Sequence, residues 1–370
     1  MTDYHGIIFA YAAAPEMREL VSRRTSASLP VCGRYRIIDF TLSSFANAGI
    51  HDVGVIMQRD YQSLLDHLGS GKAWDMSRRT GGLRMLPPFG LPGFHSGNYS
   101  GTMEALNAVS SYIKDTPQNH VILLSGNVIA NIDLEAAIAS HEKSGLPLTA
   151  ICAEGSPCGR QHRYIINPDG TSDKVLFYCT EDTEGVASLG GYIIDKPLLL
   201  ELMDYCRARY LCHFHVDALQ HYLAEGGKIN IYMHTGYAAP VITVNEYFRA
   251  NMDMLDSAKR RDLFTPQRPI FTKNHEEVST YYGENAVSVN SLVADNCIIE
   301  GTVENCIVFS GVRIAAGARL RNCIVMRGCT VGPWTELTNV IADKNCSFGS
   351  SVTLTGSDKL PVVVPKDSIL

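Results

Sequence analysis

The segment Gly6–Met17, GIIFAYAAAPEM, determines the first unit of the fold. Its first part, Gly6–Ala10, is an apolar run typical of a buried strand, and Tyr11–Met17 forms the turn that follows it. In α/β folds such a turn lies where phosphate-containing ligands bind, and it then needs glycines for close backbone approach. This turn contains none. It is therefore either a phosphate-binding loop that has lost its chemistry or an ordinary strand-to-helix turn.

Apolar runs alternate with helical segments from the N-terminus to residue 255. The runs typical of buried strands are Gly6–Ala10, Val53–Met57, Val121–Leu124 and Leu148–Cys152, and the helical segments are Ser43–Asn47, Tyr61–Leu68, Thr102–Ile113 and Leu134–Ser144. This alternation predicts a Rossmann-like α/β domain over residues 1–255, with a parallel sheet covered by helices on both faces. Pro87–Gly93 is rich in glycine and proline and predicts a loop.

The pattern changes from Val287 onward, where an apolar residue recurs every five or six positions. The recurring residues are Val293, Ile298, Val303, Val308, Ile314, Leu320, Val325, Val331, Leu337, Ala342 and Phe348. A repeat near six residues predicts a parallel β-helix over residues 286–370, with residues 256–285 as a connector. Asparagine–cysteine pairs recur at the expected corners and are interpreted as turn and packing residues; they are Asn296–Cys297, Asn305–Cys306, Asn322–Cys323 and Asn345–Cys346.

Composition excludes several classes of function. The 370 residues are 45% apolar and 19% charged, and the formal net charge of −6 does not favour nucleic-acid binding. The chain has no apolar run of about 18 residues, and its first residues lack the features of a signal peptide. Eleven scattered cysteines include no C-x-x-C pair, so they are predicted to be free thiols. A cytoplasmic protein is expected.

Arg34–Phe40, RYRIIDF, and Asn47–Ile50, NAGI, resemble segments of the bacterial glucose-1-phosphate adenylyltransferases. In that family the first strand ends in A-G-G-x-G-x-R-L, and K-P-A-V-P-F-G-G-K/R-x-R-I-I-D-F follows. An ungapped alignment places the three loop glycines, the loop arginine and the lysine of the K-P pair on Tyr11, Ala12, Ala14, Glu16 and Ser26. The resemblance covers nearly the whole chain and implies a nucleotidyltransferase domain followed by a left-handed parallel β-helix.

The resemblance also implies that both carboxylates that hold Mg²⁺ in the family are replaced. The family's L-A-G-D-H-I-Y matches Leu124–Ala130, so Asn127 takes the place of the first aspartate. The second aspartate falls on Pro240, which has no side-chain ligand atom, and the lysine-containing E-K-P segment matches Tyr178–Glu181. No metal ligand and no cofactor are therefore assigned to this chain, and Mg²⁺ is expected only in a catalytic partner.

Two groups of family positions are retained. Gly101, Thr102 and Gly190 match family pocket motifs, and they either bind a sugar or nucleotide weakly or only hold backbone turns. The basic residues with which the family binds anionic effectors fall on Arg23, Arg24, Arg36 and Arg321, of which Arg321 is preferred over Arg319. These arginines are predicted to bind a phosphorylated metabolite, unless they are only solvated charges.

The chain thus resembles the second, GlgD-type subunit of the family, which has a degraded site and works beside a catalytic subunit. The expectation is a catalytically deficient regulatory subunit in a hetero- or homotetramer, without nucleic-acid or membrane partners. Three alternatives stay open: a slow nucleotidyltransferase that uses Asp133 or Asp195, an acyltransferase, and a metabolite sensor without an enzyme partner. The acyltransferase is disfavoured because no histidine follows His275. A metal site at His213, His215 and Asp217, which would share one face of a strand, is also disfavoured.

Overall fold

The computed structural model describes residues 3–11, 15–88, 99–154, 162–177, 179, 183–274 and 277–370. The chain divides into two compact units. The first consists of Met1–Ala12, Ile38–Pro240 and Pro266–Phe271, and the second of Ala13–Ile37, Val241–Thr265 and Thr272–Leu370. The second unit therefore gathers two segments from the region assigned to the N-terminal domain by sequence. The predicted loop 87–93 lies outside the described residues from position 89 on.

A ten-stranded mixed sheet forms the core of the first unit. Eight of its strands are hydrogen-bonded in the order Thr171–Ser172, Ile229–His234, Leu148–Ala153, Val186–Asp195, His120–Ser125, Tyr4–Phe9, Val53–Ile56 and Leu83–Leu86. The other two, Arg163–Ile165 and Lys174–Leu176, pair with each other and extend the sheet beside Val186–Asp195. Apolar residues along the central strands, such as Ile7, Ile122 and Ile193, are fully buried. The four strands predicted from sequence are confirmed.

Three strands, Thr171–Ser172, Lys174–Leu176 and Val186–Asp195, contradict the expected all-parallel sheet, and the last of them lies in its centre. Val186–Asp195 lies between His120–Ser125 and Leu148–Ala153 and runs antiparallel to both. The chain enters this strand from the antiparallel pair Arg163–Ile165 and Lys174–Leu176, so it needs no crossover helix to reach its place. Its last residue, Asp195, therefore lies at the edge of the sheet where the neighbouring parallel strands begin.

Helices cover the sheet and connect its strands. The α-helices of the chain are Ile37–Asn47, Gln62–Leu68, Thr102–Ala108, Ser110–Asp115, Leu134–Ser144, Lys196–Ala208, Gln220–Ala224, Val244–Asp253 and Ser257–Leu263. Short 3₁₀ turns occupy Pro15–Val21, Ser26–Ser28 and Lys72–Trp74, and a π-helical turn occupies Phe214–Leu219. The predicted helix Leu134–Ser144 is confirmed, whereas the predicted Thr102–Ile113 is interrupted at Val109. In the described part of the chain, every helix is too short or too polar to cross a bilayer.

The second unit is built on a left-handed parallel β-helix made of three five-stranded parallel sheets. The first contains Tyr281–Tyr282, Ile298–Ile299, Arg313–Ile314, Thr330–Val331 and Ser347–Phe348. The second contains Val287–Val289, Thr302–Glu304, Arg319–Arg321, Glu336–Thr338 and Thr353–Thr355, and the third Leu292–Val293, Ile307–Val308, Ile324–Val325, Val340–Ala342 and Val362–Val364. Most of the predicted periodic residues stack in its core, although Ile299 is the fully buried residue instead of Ile298. The predicted β-helix is confirmed.

The asparagine–cysteine pairs act as predicted at the corners of the coils. Asn305 and Asn322 adopt φ values of 50° and 51°, in the left-handed region that asparagine tolerates. The amide of Asn290 donates to Asn305 Oδ1 at 2.7 Å and so links successive coils. Among the described cysteines none forms a disulfide, and the thiol of Cys323 donates to the carbonyl of Leu337 at 3.3 Å. The pairs are therefore turn and packing residues.

Two short ribbons complete the fold. In the second unit Pro30–Val31 pairs with Tyr35–Arg36 in an antiparallel hairpin. In the first unit Val128–Ala130 pairs with Ala238–Pro240, also antiparallel. This second ribbon follows the strand His120–Ser125 and positions the candidate site.

Candidate functional site

The carboxyl ends of two central strands of the first unit lie side by side. Gly126 N–H donates to the carbonyl of Phe9 at 2.9 Å, and Ala10 N–H donates to the carbonyl of Ile56 at 3.0 Å. A Cβ atom at Gly126 would lie 3.0 Å from Phe9 O and 3.1 Å from Ala10 Cα, so the two strand ends fit closely around this glycine. Tyr11 and Asn127, one residue beyond these contacts, therefore lie at the ligand-binding edge typical of this architecture.

The ribbon brings together the two positions that hold metal carboxylates in the family. Its register pairs Pro240 with Val128, the residue directly after Asn127. Asn127 is 7% exposed, and its Oδ1 accepts a hydrogen bond from the Ser125 hydroxyl. Mg²⁺ requires carboxylates or several oxygen ligands, but this pair offers one amide oxygen that is already engaged. The two positions do not fit a magnesium ion.

The turn after the first strand is occupied by aromatic rings. The ring of Tyr11 lies 6.1 Å from that of Phe9 in an edge-to-face arrangement and 5.8 Å from that of Tyr99. Burial, with a contribution from the Glu104 carboxylate, raises the pKa of both tyrosines, so both stay neutral. Neutral rings and a nearby carboxylate provide no compensation for the charge of a triphosphate.

The other altered loop positions are either outside the described residues or part of the second unit. Ala12 and Ala14 fall outside the described residues, as do three of the four residues of Tyr178–Glu181. Glu16 belongs to the 3₁₀ turn Pro15–Val21, and Ser26 starts the next 3₁₀ turn and is 2% exposed. Both belong to the second unit.

The retained Gly101 and Thr102 lie where their segment packs directly against the backbone of Cys212–Phe214. A Cβ atom on Gly101 would lie 2.2 Å from the backbone oxygen of Cys212, far inside contact distance. Thr102 Oγ1 accepts a hydrogen bond from Phe214 N–H at 3.2 Å, and Met103 N–H donates to Cys212 O at 2.9 Å. The structure thus provides a local packing reason for both residues.

Replacing Gly101 by alanine is expected to destabilise the protein by about 3 kcal/mol, because the Cys212 backbone must move to admit the methyl group. Gly145→Ala is the matched control, since nothing lies within 4 Å of its Cβ position and only its φ of 64° opposes the change. The control should lose about 1 kcal/mol. Urea unfolding measures both. Equal losses in the two variants would remove the packing role of Gly101.

Gly190 marks a bulge in the strand Val186–Asp195. Its φ is 69°, its N–H donates to Ser188 Oγ at 3.1 Å, and the register shifts between Ser188 and Gly191. Two residues further along the same strand is Tyr192, which is buried. Gly190 is therefore explained by the backbone conformation of this bulge.

The Tyr192 hydroxyl is the centre of a buried polar network. It lies 2.6 Å from His162 Nε2, 3.0 Å from His215 Nδ1 and 2.9 Å from the hydroxyl of Tyr164. Burial lowers the pKa of His215 to about 4, with a further contribution from His213, and burial and His215 also lower the pKa of His162. Both imidazoles are therefore neutral at pH 7, and the network carries no charge with which to bind a phosphate.

The histidine-rich run around His215 is helical, although the sequence analysis placed its three candidate ligands on one face of a strand. Phe214–Leu219 forms a π-helical turn. Asp217 Oδ2 accepts from His213 N–H at 2.8 Å, while His215 contacts Tyr192 instead. The side chains of His215 and Asp217 thus contact different partners, and among the described residues this run forms no group of potential metal ligands.

The two alternative carboxylates are also engaged. Asp133 Oδ1 accepts from Ala136 N–H at 3.0 Å as a helix cap, and its Oδ2 pairs with Arg268 at 2.8 Å. Asp195 pairs in register with His120, the first residue of the strand that ends at Ser125. Five residues of a strand span about 16 Å, so Asp195 lies at the opposite edge of the sheet from Asn127.

Two of the predicted effector arginines lie close to a lysine that the sequence analysis missed. In the second unit Arg24 forms a buried ion pair with Asp343, and the next residue is Lys344. Burial and the positive charges of Arg36 and Arg24 lower the pKa of Lys344 to about 8. A half-buried ammonium group under the influence of two guanidinium groups gains from a bound anion, and such perturbed groups are frequent at functional sites.

The remaining two arginines differ in their surroundings. Arg23 is 74% exposed and lies 3.8 Å from Asp367, whose N–H donates to the carbonyl of Lys344 at 3.0 Å. Arg321 lies on the strand Arg319–Arg321, and its side chain is 3.8 Å from the Glu304 carboxylate on the neighbouring strand. This sheet differs from the one that contains Val340–Ala342, the strand before Lys344. Arg24, Arg36 and Lys344 therefore form a basic group, with Arg23 paired to the adjacent Asp367, whereas Arg321 pairs with Glu304.

Comparison with known proteins identifies the class of this fold and site. Residues 6–257 match the family model "Nucleotidyl transferase", and residues 276–359 match "GlmU-like, C-terminal hexapeptide". The chain is 34% identical to a glucose-1-phosphate adenylyltransferase of Geobacillus stearothermophilus over 84% of its own length and 81% of that protein. It is 33% identical to the glycogen biosynthesis protein GlgD of the same organism over 85% of this chain and 81% of the relative. It is 29% identical to GlgD of Bacillus subtilis (strain 168), over 85% of this chain and 82% of that protein.

The chain therefore belongs to the glucose-1-phosphate adenylyltransferase family of nucleotidyl transferases, as its sequence motifs indicated.

Proposed function

We propose that this protein is a catalytically deficient, regulatory subunit of a glucose-1-phosphate adenylyltransferase in glycogen biosynthesis. The observation that carries the proposal is the pairing of Asn127 and Pro240 on one ribbon, where an enzyme of this family needs two carboxylates. Both positions lie on a regular antiparallel ribbon, so this chain differs from the enzymes in the side chains at these positions and not in the local fold. Loss of the metal alone removes several kcal/mol of transition-state stabilisation.

The proposed partner is a catalytic homologue with which the chain forms a hetero-oligomer, most simply a tetramer, in the cytoplasm. Some curated relatives bear the name of the enzyme and others that of GlgD, and Geobacillus stearothermophilus has one of each. The partner supplies the metal site, and this chain biases the partner's conformation. Such coupling is reciprocal, so the partner's substrates must change effector affinity at this chain by the same factor.

The proposed effector is a phosphorylated metabolite bound at Arg23, Arg24, Arg36 and Lys344. Arg24 is paired with Asp343, which offsets part of its charge, while Arg23 extends into solvent. Arg36 contributes to the potential that lowers the pKa of Lys344. Phosphate oxygens accept charge-assisted hydrogen bonds from guanidinium and ammonium groups, which are about twice as strong as neutral ones.

Alanine variants of Arg23 and Arg36 test the effector site in the co-expressed complex. Each is expected to raise the effector concentration for half-activation by about tenfold, because a charge-assisted bond of about 1.5 kcal/mol is lost. Arg319→Ala is the control, since that exposed arginine faces Glu336 at 3.7 Å. Arg321→Ala should behave like the control. Unaltered activation curves for both Arg23→Ala and Arg36→Ala would remove the proposed effector site.

A further inference from the structure

A second cluster of potential ligands lies at the opposite edge of the first unit's sheet. His120 begins a central strand, and Asp195 ends the antiparallel strand paired with it, so the two residues lie in register. His141 comes from the helix Leu134–Ser144 and is 3% exposed. Three separate elements therefore direct two imidazoles and one carboxylate to the same point. The proposed regulatory function uses none of these residues.

The ligand atoms are close enough to share one cation. His120 Nδ1 lies 2.9 Å and His141 Nε2 lies 3.3 Å from Asp195 Oδ1. One ligand atom from each residue lies within 4.8 Å of the other two. Bonds of about 2.0–2.2 Å around a tetrahedral ion place neighbouring ligand atoms about 3.4 Å apart. Small side-chain rotations are enough to reach that geometry.

The second ring nitrogen of His141 has a hydrogen-bond partner, and that of His120 faces a carboxylate. His120 Nε2 faces Asp3 Oδ2 at 3.7 Å, and Asp3 is itself held by Asn119 N–H at 3.0 Å. His141 Nδ1 lies 2.8 Å from Thr149 Oγ1. In metal sites the second nitrogen donates to such an outer partner, which fixes the tautomer and points the free lone pair at the ion. The ring of His141 is already arranged in this way, and a small movement of Asp3 would complete the arrangement at His120.

The surroundings leave room for a cation and for water. The side chains of His120 and Asp195 are 27% and 37% exposed, which opens a path from solvent and a position for water. The adjacent Lys196 does not compete, because its ammonium group donates to the carbonyl of Thr116 at 2.6 Å. The ring of His120 stacks on that of Tyr4 at 4.8 Å between centroids, so its orientation is constrained.

We propose that His120, His141 and Asp195 bind one zinc ion or a similar divalent transition metal, with water as the fourth ligand. Two imidazoles and a carboxylate form the ligand set of many zinc sites with an open position. The ion would link the helix Leu134–Ser144 to two strands at the edge remote from Asn127. Its role is structural or regulatory, since Asp195 and Asn127 lie at opposite edges of the sheet.

The test is titration of the full-length, chelator-treated protein with Co²⁺, followed by absorption, and with Zn²⁺, followed by thermal unfolding. We expect one Co²⁺ per chain, a tetrahedral visible spectrum without a thiolate charge-transfer band, and a higher melting temperature with Zn²⁺. Asp195→Asn and His120→Asn should each weaken binding at least tenfold. His221→Asn is the control, since His221 stacks on Tyr205 on a different helix and should bind as the wild type does.

Three results would overturn the proposal. The first is the absence of saturable one-to-one binding, and the second is equal binding by the wild type and both ligand variants. The third is a thiolate band, which would assign the ion to the cysteines. Asp195→Asn preserves the size and hydrogen-bonding capacity of the side chain, so it should fold. Its far-ultraviolet circular dichroism, compared with that of His221→Asn, separates loss of binding from loss of structure.

Discussion

Lys344→Met is expected to abolish the effector response of the complex and, at the same time, to stabilise this chain at pH 7. Burial, Arg36 and Arg24 lower the pKa of Lys344 from 10.5 to about 8, so the folded protein holds this ammonium group at a cost. The unfolded chain binds the Lys344 proton more tightly than the folded protein does. The resulting loss of folding stability is therefore complete below pH 8 and disappears as the pH rises from 8 to 10.5. Methionine removes it, and the stability gain should be roughly 1–2 kcal/mol.

The same reasoning predicts the pH dependence of effector binding. A bound anion stabilises the charged form of Lys344, so effector affinity should be highest below pH 8 and fall above it. Lys359→Met is the control, because Lys359 is an exposed lysine and should change neither stability nor effector response. Urea unfolding at pH 7 and effector titrations at pH 7 and 9 measure the two effects. A normal effector response in Lys344→Met would contradict the assignment of this lysine to the site.

Acidification is expected to destabilise the first unit through His215. Burial lowers the pKa of His215 to about 4 from its usual 6.5. The folded state therefore binds this proton more weakly than the unfolded chain, and stability present above pH 6.5 is lost as the pH falls to 4. At 1.36 kcal/mol per pH unit, this loss is about 3 kcal/mol. The groups that face His215 are His162, at 4.0 Å between ring centroids, Tyr192, Phe214 and His213.

The His215→Gln variant isolates this contribution, because glutamine keeps hydrogen-bonding capacity towards Tyr192 but does not titrate. Urea unfolding of both proteins at several pH values between 4 and 7 gives the comparison. The wild type should lose about 3 kcal/mol more than the variant over this range. Parallel stability profiles would show that His215 is protonated in the folded state and that the buried network has been misinterpreted.

The elements that sequence patterns predicted well are those with local causes. The β-helix was predicted because each coil repeats the same inward residue and the same corner asparagine, as at Asn305 and Asn322. The direction of Val186–Asp195 was not predicted, since it depends on pairing with strands distant in sequence. The interruption at Val109 also escaped prediction, because the helical pattern continues across it.

The candidate sites divide in the same way. Asn127 and Pro240 could be singled out because each lies in a short motif, but their pairing on one ribbon required the structure. Lys344 was missed because its lowered pKa comes from burial and from Arg36 and Arg24, more than 300 residues away along the chain. A pKa shift with such distant causes cannot be recognised from the residues next to Lys344 in the sequence. The same applies to the group His120, His141 and Asp195: no motif joins these residues in the sequence, and they converge only in the folded protein.

The most direct test of the central claim is ADP-glucose synthesis from ATP and glucose 1-phosphate with Mg²⁺, by three preparations. These are this chain alone, the catalytic homologue alone, and the two co-expressed, each with and without sugar-phosphate effectors. The chain alone should be at least about 1,000-fold slower than the homologue, since the missing metal site alone costs several kcal/mol. It should nevertheless shift the homologue's rate or effector response. Turnover by the chain alone at a rate comparable to that of the homologue would contradict the account.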